Sequence, residues 1–363
     1  QTESYDWLIR EGIDAVLKEV FPIKSYSETV QIDYVKCRLE EPIYSHKVFE
    51  TFISKLPGAR INCQKYLPLM PLALSKLDLS DYELILSSES GPAKGIRKPA
   101  GAIHVCYCHT PMRYLWDMFD DYYRNTGLAG KAGMLLFKNY LRNYDLKSAD
   151  TVDHFIANSS FVADRIKRIY HRDAAVIHPP VDTAWFSQQN EEKEDFYLFA
   201  GQLTRYKRAD LAIDACRKVR KKLVVVGTGD QLDILRRKAG NDANIVFYGR
   251  TEREALRSLY ARAKALLFPG IEDFGIVPLE AQAAGTPVIA LGQGGALETV
   301  AEGKTGVFFK EPTAESLCNA MEEAEGIVWN KTELQRHAEE FNPERFRNEM
   351  KAFLRQAGVK EAF

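Results

Sequence analysis

Apolar residues in the second half of the chain fall into short, nearly uninterrupted runs separated by amphipathic stretches. Residues 196–200 (FYLFA), 222–226 (KLVVV), 244–248 (NIVFY), 265–268 and 287–291 are apolar almost throughout, the pattern of strands buried on both faces. Between the first two runs, Ala209, Leu211, Ala212 and Ala215 line one side of a helical stretch, with Asp210 and Asp214 on the other. Further helices are expected after Gly227-Thr228-Gly229, over 252–263, and from near Pro278. Strands alternating with helices in this way predict a parallel sheet wound on both faces.

The first half repeats the alternation less cleanly. Strands are expected at 83–87 (ELILS), 102–106 (AIHVC) and 155–158 (FIAN), and helices at 12–20, 48–55 and 133–144. Residues 1–6 are polar where a doubly wound domain would open with a buried strand. The run 187–195 (SQQNEEKED) carries no core residue and reads as a linker. Near the end, Phe341-Asn342-Pro343 breaks the chain before an amphipathic helix, 344–355, with Phe346, Met350 and Leu354 on one face. The expected organisation is therefore α/β: two doubly wound, Rossmann-like domains, 1–187 and 188–342, facing each other across a cleft. A closing helix within 343–363 is expected to cross back onto the first domain. No solenoid-length repeat or low-complexity segment interrupts this plan.

Composition narrows the function classes. The chain has 363 residues, enough for two domains, and its 49 basic against 50 acidic residues leave a net charge of −1. Bulk charge thus gives no hold on nucleic acid, which is not expected as a partner. No apolar run approaches the ~18 residues of a spanning helix, so no membrane span is expected. Of the six cysteines only Cys106 and Cys108 are close, and a lone C-x-C pair is not zinc spacing. Scattered cysteines in a chain this long predict buried, reduced thiols and a cytoplasmic location. With Gln1 at its start and no signal-peptide pattern behind it, the chain is expected to have lost a few residues from the front.

The densest chemistry lies at 270–285, GIEDFGIVPLEAQAAG. A strand ends at 268–270, a loop then carries Glu272, Phe274 and Gly275, and Pro278 sits where a first helical turn tolerates proline. A glycine loop opening a helix presents backbone amides, here those around Gly275, Ile276 and Val277, to an anion such as a diphosphate. Glu272, just before the helix, and Glu280, expected in its first turn, repel phosphate but accept hydrogen bonds from sugar hydroxyls. A basic cluster, Arg205-Tyr206-Lys207-Arg208, lies in 201–208 (GQLTRYKR) after the 196–200 strand. Positive charge opposes the dipole at a helix start, so the cluster points to a bound anion. His109 follows the 102–106 strand at the edge where open α/β sheets bind ligands. Tyr107, Arg113 and Trp116 surround it, either shaping that edge or, for the two aromatics, filling the core.

Residues 272–280, EDFGIVPLE, match the motif E-x-F-G-x-x-x-x-E, and here the sequence resembles the donor domain of glycosyltransferase family 4, the retaining GT-B enzymes. The resemblance continues through Thr286-Pro287-Val288-Ile289-Ala290, Gly294-Gly295, Glu298 and Gly303-x-x-Gly306, over most of residues 100–350. Residues 65–74 (KYLPLMPLAL) and 106–117 (CYCHTPMRYLWD) resemble bacterial O-antigen and surface-polysaccharide enzymes often labelled mannosyltransferases. The resemblance implies that Lys207 clamps the donor's pyrophosphate, after Gly201. Gln202 stands where the family commonly has an arginine, a charge that Arg205 is expected to supply. It also implies a nucleotide-side turn at Gly227, base contact near Gly249-Arg250, sugar contact through Glu272 and His109, and ribose contact through Glu280.

The implied reaction is transfer of a hexose, with retention, from UDP-glucose or GDP-mannose to a saccharide acceptor of the bacterial envelope. A polyprenyl-diphosphate-linked acceptor fits that role. Residues 133–142 (GMLLFKNYLR) combine apolar residues with Lys138 and Arg142 and are expected either to rest peripherally on a membrane surface or to form a buried helix with ordinary basic flanks. No two aspartates are separated by one residue, so no D-x-D metal–diphosphate motif is present and neither metal nor cofactor is expected. Two other classes remain open from sequence: another GT-B sugar enzyme, such as a phosphorylase or nucleotide-sugar epimerase, and a non-catalytic nucleotide-sugar-binding partner.

Overall fold

The computed structural model describes residues 30–33, 47–59, 63–188 and 191–359. The polar start and the helix expected at 12–20 lie outside the described residues. What is described forms two compact units, one holding residues up to 177 together with those from 348 onward, the other holding 178–347.

In the first unit, β1 (Val30–Asp33) pairs in parallel with β2 (Lys47–Glu50). The helix expected over 48–55 is instead this strand followed by a 3₁₀ turn, Phe52–Lys55. Val48 and Phe49 are β-branched and aromatic, types that favour a strand once a partner is available, and eight residues are too few to separate the two periods. Past the short helix α1 (Met70–Ser75), a 4-stranded parallel sheet runs in the order β3 (Leu84–Glu89), β4 (Ile103–Cys108), β5 (His154–Ala157) and β6 (Ala174–Val176). Helices α2 (Phe119–Asn125), α3 (Leu128–Ala149) and α4 (Ser160–Tyr170) complete the unit's connections. α4 starts where the Ser159 hydroxyl accepts the Val162 N–H, a side-chain N-cap.

α3 is longer at both ends than the expected 133–144, and only its C-terminal part is buried, at Leu141, Asp145, Ser148 and Ala149. Its N-terminal part stands in solvent: Leu128, Leu135, Leu136 and Tyr140 are 86%, 56%, 75% and 48% exposed. A buried helix is therefore not what the 133–142 stretch forms.

The second unit opens with α5 (Thr183–Phe186), capped by Asp182. Its 6-stranded parallel sheet has the order β12-β11-β10-β7-β8-β9. The strands are β7 (Phe196–Ala200), β8 (Lys222–Val226), β9 (Ile245–Gly249), β10 (Ala265–Phe268), β11 (Val288–Leu291) and β12 (Gly306–Phe309). Helices α6 (Ala209–Val219), α7 (Leu232–Ala239), α8 (Arg253–Arg262), α9 (Ile276–Ala283), α10 (Ala296–Thr299), α11 (Ala314–Glu325) and α12 (Lys331–Glu339) connect them. Side chains on the two faces of this sheet form separate cores, one around Tyr197, Val225 and Leu267, the other around Leu198, Val224 and Leu266. Alternate residues of one strand thus feed opposite cores, which is why β7, β10 and, after the exposed Lys222 at its start, β8 are apolar.

The segment read as a linker makes ion pairs and a hydrogen bond where it is described. Glu191 and Glu194 pair with Arg262 at 3.1 and 2.6 Å, and the Lys193 ammonium donates to the Thr286 hydroxyl. α13 (Pro343–Gln356) begins at the proline itself, and Phe346, Met350 and Leu354 are fully buried on its apolar face.

Candidate functional site

The order of the second sheet reverses between β10 and β7: the chain leaves β7 toward β8 and β9 on one side, then returns to lay β10 on the other. Loops leaving the C-terminal ends of two such strands diverge to opposite faces and open a crevice. Here those two loops are 201–208, after β7, and 269–275, after β10. The two strongest sequence clusters therefore flank one switch point.

Lys207 and Glu272 meet there, Nζ to Oε1 at 2.7 Å, with side chains 3% and 12% exposed. The basic cluster is not the start of a helix, as the sequence predicts. Arg205–Lys207 form a 3₁₀ turn, and Arg208, at φ 56°, ends it before α6. That turn carries Lys207 inward while Gln202 and Arg205 remain at the exposed surface, and Arg208 binds Asp210 at 3.0 Å. The neighbouring loops are stitched to this one. Gly201 N–H donates to the Val226 carbonyl at 3.1 Å, Leu203 N–H to Thr228 at 2.8 Å, and Gly227 N–H to Gly249 at 2.7 Å. Gly227 has φ 130°, and a Cβ there would stand 1.9 Å from the Gly201 carbonyl oxygen, so this turn admits only glycine. Arg250, beyond Gly249, is exposed.

On the other side of the switch point, Gly275 caps α9 at φ 100° with no side-chain hydrogen bond. Pro278 has no N–H, so the amides that the first turn directs outward are those of Ile276 and Val277. α9 starts at Ile276, two residues earlier than expected, because the left-handed Gly275 lets the loop turn directly into the helix. Glu280 consequently lies in the second turn rather than the first. It is 6% exposed and accepts a hydrogen bond from the Tyr260 hydroxyl at 2.9 Å. Burial, and then the Glu280 charge, push the Tyr260 phenol well above its usual range, which keeps it a proton donor. Phe274 is buried, with its ring stacked on His178 at 5.3 Å, so this residue can offer a ligand only its backbone. His178 in turn meets Glu298 at 2.9 Å, and Gly295 N–H holds the Glu272 carbonyl at 2.9 Å.

In the first unit, His109 follows β4 at its C-terminal end and is 6% exposed. Its N–H donates to the Glu89 carbonyl at 2.8 Å, and its Nε2 lies 2.9 Å from the Ser88 hydroxyl, both at the end of neighbouring β3. Beneath it, Lys94 is fully buried between Glu89, at 3.2 Å, and Asp145, at 2.5 Å. Trp116 donates its indole N–H to the same Asp145 at 2.7 Å. Tyr107 is wholly buried, with its hydroxyl on the Ile177 carbonyl at 2.9 Å, and edges the His109 ring at 5.2 Å. Of the residues read from sequence around His109, Tyr107 and Trp116 are thus held in the interior network. Arg113 is half-buried in the following turn.

Burial pushes the His109 imidazole down to about 4, and burial does the same to His104, whose Nε2 meets Ser87 at 2.8 Å. Both are neutral in the fold, whereas in the unfolded chain both titrate near 6.5. The unfolded state binds more protons between those values, so stability is complete above about pH 6.5 and is lost as pH falls toward 4. The combined slope is at most about 2.7 kcal/mol per pH unit. Denaturant midpoints measured across that range should show it, and His109→Gln should roughly halve it.

Sequence reasoning missed Tyr260, Ser88 and the Lys94 cluster. Tyr260 reads as one more apolar-face residue of α8, and nothing local marks its link to Glu280 in the next helix.

Comparison with known proteins gives the family and the fold. The family described as Glycosyl transferases group 1 matches residues 181–340, and Glycosyltransferase Family 4 matches residues 30–185. A D-inositol 3-phosphate glycosyltransferase of Mycobacterium avium is 33% identical over 180 residues, covering 43% of this chain and 42% of that protein. An uncharacterized glycosyltransferase of Methanocaldococcus jannaschii is 31% identical over 172 residues, 42% of this chain and 43% of its own. The matches thus span under half the length of these curated relatives. Among solved structures, sucrose-phosphate synthase from Thermosynechococcus elongatus superimposes with a TM-score of 0.70 at 17% identity, covering 96% of this chain and 94% of that one. Anabaena HepE, solved in complex with UDP, gives 0.68 at 15% identity with 95% of each chain covered.

Two parallel-sheet units with these structural neighbours define the GT-B glycosyltransferase class. Within that class, the chain belongs to glycosyltransferase family 4.

Proposed function

We propose that this protein is a retaining hexosyltransferase that moves a sugar from a nucleoside-diphosphate sugar, UDP-glucose or GDP-mannose, to a saccharide acceptor. The observation that carries the reading is the buried Lys207–Glu272 pair beside the uncapped start of α9. It sets one cation, a pair of outward amides and one hydroxyl acceptor around a single switch point, as a sugar diphosphate requires. HepE, which shares the fold, has also been solved with UDP and glucose.

On this reading Lys207 and the amides of Ile276 and Val277 hold the diphosphate and take up charge as it departs, so no metal is called for. Arg205 adds a second positive charge from the same 3₁₀ turn. Glu272 accepts hydrogen bonds from the sugar, and Glu280, oriented by Tyr260, from the ribose. His109 is neutral and fixed by Ser88, fit to hydrogen-bond a sugar hydroxyl without adding charge. The bond from sugar to diphosphate breaks as the acceptor oxygen bonds to the same carbon on the same face. The acceptor's proton passes to the departing phosphate oxygen, and configuration is retained.

The acceptor proposed is a polyprenyl-diphosphate-linked saccharide of the bacterial envelope, and α3 supplies the contact with the membrane that holds it. From Tyr122 to Tyr144 the chain has no acidic residue, and Arg124, Lys131 and Lys138 lie along the stretch that exposes Leu128, Leu135 and Leu136, whereas Arg142 turns inward onto the Leu115 carbonyl at 2.7 Å. Apolar side chains flanked only by positive charge suit an anionic lipid surface. No helix among the described residues is long and apolar enough to cross a membrane. Cosedimentation with phosphatidylglycerol vesicles is expected, with loss of it in Leu135→Glu/Leu136→Glu and no binding to phosphatidylcholine alone.

NMR of the enzyme with each donor and a lipid-linked saccharide tests the reaction. An α-linked product from an α-linked donor, with release of nucleoside diphosphate, is expected. Phosphate-dependent cleavage, or interconversion of the sugar nucleotide without an acceptor, would replace the proposal with a phosphorylase or an epimerase.

A further inference from the structure

Asp145 lies in the C-terminal part of α3, and neither it nor Lys94 has any exposed surface. Donors from three other segments converge on its two oxygens. The Lys94 ammonium, from the 3₁₀ turn Ala93–Gly95, reaches Oδ1, and the Trp116 indole N–H reaches Oδ2. The Tyr170 hydroxyl, at the end of α4, lies 3.0 Å from both oxygens. Burial by itself would lower the Lys94 ammonium, but Glu89, Tyr170 and Asp145 hold it well above its usual range, so it stays charged. Well-packed hydrophobic side chains of similar volume often join such segments as stably, so stability alone gives no reason for the charges. What a buried polar network adds is a fixed geometry, because each bond has a direction and a set partner.

That geometry is centred on His109. On one side, Lys94 pairs with the Glu89 carboxylate at 3.2 Å. Glu89 ends β3, where its carbonyl takes the His109 N–H and the adjacent Ser88 hydroxyl lies 2.9 Å from the imidazole Nε2. On the other side, the turn that follows His109 reaches Trp116, and α3 grips it twice. Asp145 takes the Trp116 N–H, and Arg142, about one helical turn earlier, donates to the Leu115 carbonyl and lies over the Trp116 ring at 4.8 Å. We infer that Asp145 is a positioning residue for His109: from one helix it fixes both the strand end that holds the imidazole and the turn that follows it. The inference deepens the proposed function and rests on its placing of His109 against the sugar. Arg165, from α4, holds the same turn at Thr110 and Asp117, so loss of the Asp145 charge should loosen the turn rather than collapse it.

A double-mutant cycle of Asp145→Asn and His109→Gln tests this, read as transfer from UDP-glucose and GDP-mannose to the lipid-linked saccharide. Asparagine keeps the shape and one oxygen but removes the charge that pairs with Lys94. Alone, it is expected to lower kcat about tenfold or more, since misplacing a reacting group by about 1 Å can cost about a hundredfold. Its affinity for UDP and GDP should be unchanged, because Lys207 and the start of α9 lie in the other unit. In the His109→Gln background the same substitution should cost about twofold or less, because the residue it positions is gone. A merely structural defect would lower the rate by the same factor in both backgrounds. Trp116→Phe keeps the ring and removes only the N–H that Asp145 accepts. It should show a smaller loss that vanishes in the same way, and it serves if Asp145→Asn does not fold. No loss in the parent, or an equal loss in both backgrounds, would overturn the inference and leave the proposed function standing. Transfer undiminished by His109→Gln alone, or absent from the parent with either donor, would overturn the proposed reading of the site and the inference with it.

Discussion

Replacing Lys207 with alanine is expected to weaken nucleoside-diphosphate binding at least a hundredfold. The loss is larger than that of a surface phosphate contact for two reasons. The ammonium is almost wholly buried, at 3% exposure, so its attraction for phosphate is little screened. Its removal also takes away the positive charge that Glu272 faces at 2.7 Å, at the point where phosphate must enter. Titration calorimetry against UDP and GDP would read the change directly. Affinity unchanged by the substitution would remove Lys207 from the diphosphate site. The fold should tolerate the change, because the loops on either side are held by backbone bonds among Gly201, Val226, Leu203 and Thr228.

Glu272→Ala should have a comparably large effect on a different quantity. Transfer from the nucleotide sugar is expected to fall about a thousandfold, as when a group aimed at the reacting centre is removed. Nucleoside diphosphate should still bind, because Lys207 and the first turn of α9 remain. Steady-state assays paired with diphosphate binding separate the two effects. Parallel loss of both would mean that Glu272 acts only by holding the loop after β10. Alanine retains the backbone through which Gly295 N–H binds residue 272, so that outcome can be read without ambiguity.

The contrast between these residues shows how far the sequence carries. β7, β8 and β10 appear at the boundaries that the apolar runs predict, because the part of a strand covered on both faces is apolar at consecutive positions. The chemistry of Glu272, Gly275 and Lys207 is also legible, since each lies in a loop directly after such a strand. Their mutual pairing is not, because it depends on which strands lie side by side, and the reversal between β10 and β7 leaves no local trace. Tyr260 and Ser88 are hidden for a related reason: each orients a site residue from another element, Glu280 and His109 respectively. At Val48 and Phe49 the failure is of another kind. Parallel pairing with β1 decides the conformation there, and that partner lies in a segment whose pattern does not announce a strand. α3 shows the opposite limit, since its period marks a helix but cannot say that Leu128, Leu135 and Leu136 stay exposed on it.

The central claim is that the crevice beside Lys207 and Glu272 takes a nucleoside-diphosphate sugar without a metal. A thermal-shift panel with UDP, GDP, ADP and their common sugar conjugates, with and without EDTA, tests it most directly. A ligand that binds only the folded state adds about 2.7 kcal/mol at a hundred times its dissociation constant, enough to raise the midpoint by several degrees. A rise confined to one base, larger for the sugar conjugate than for the diphosphate and unchanged by EDTA, is the predicted result. A rise abolished by EDTA, or none with any nucleotide, would contradict the account.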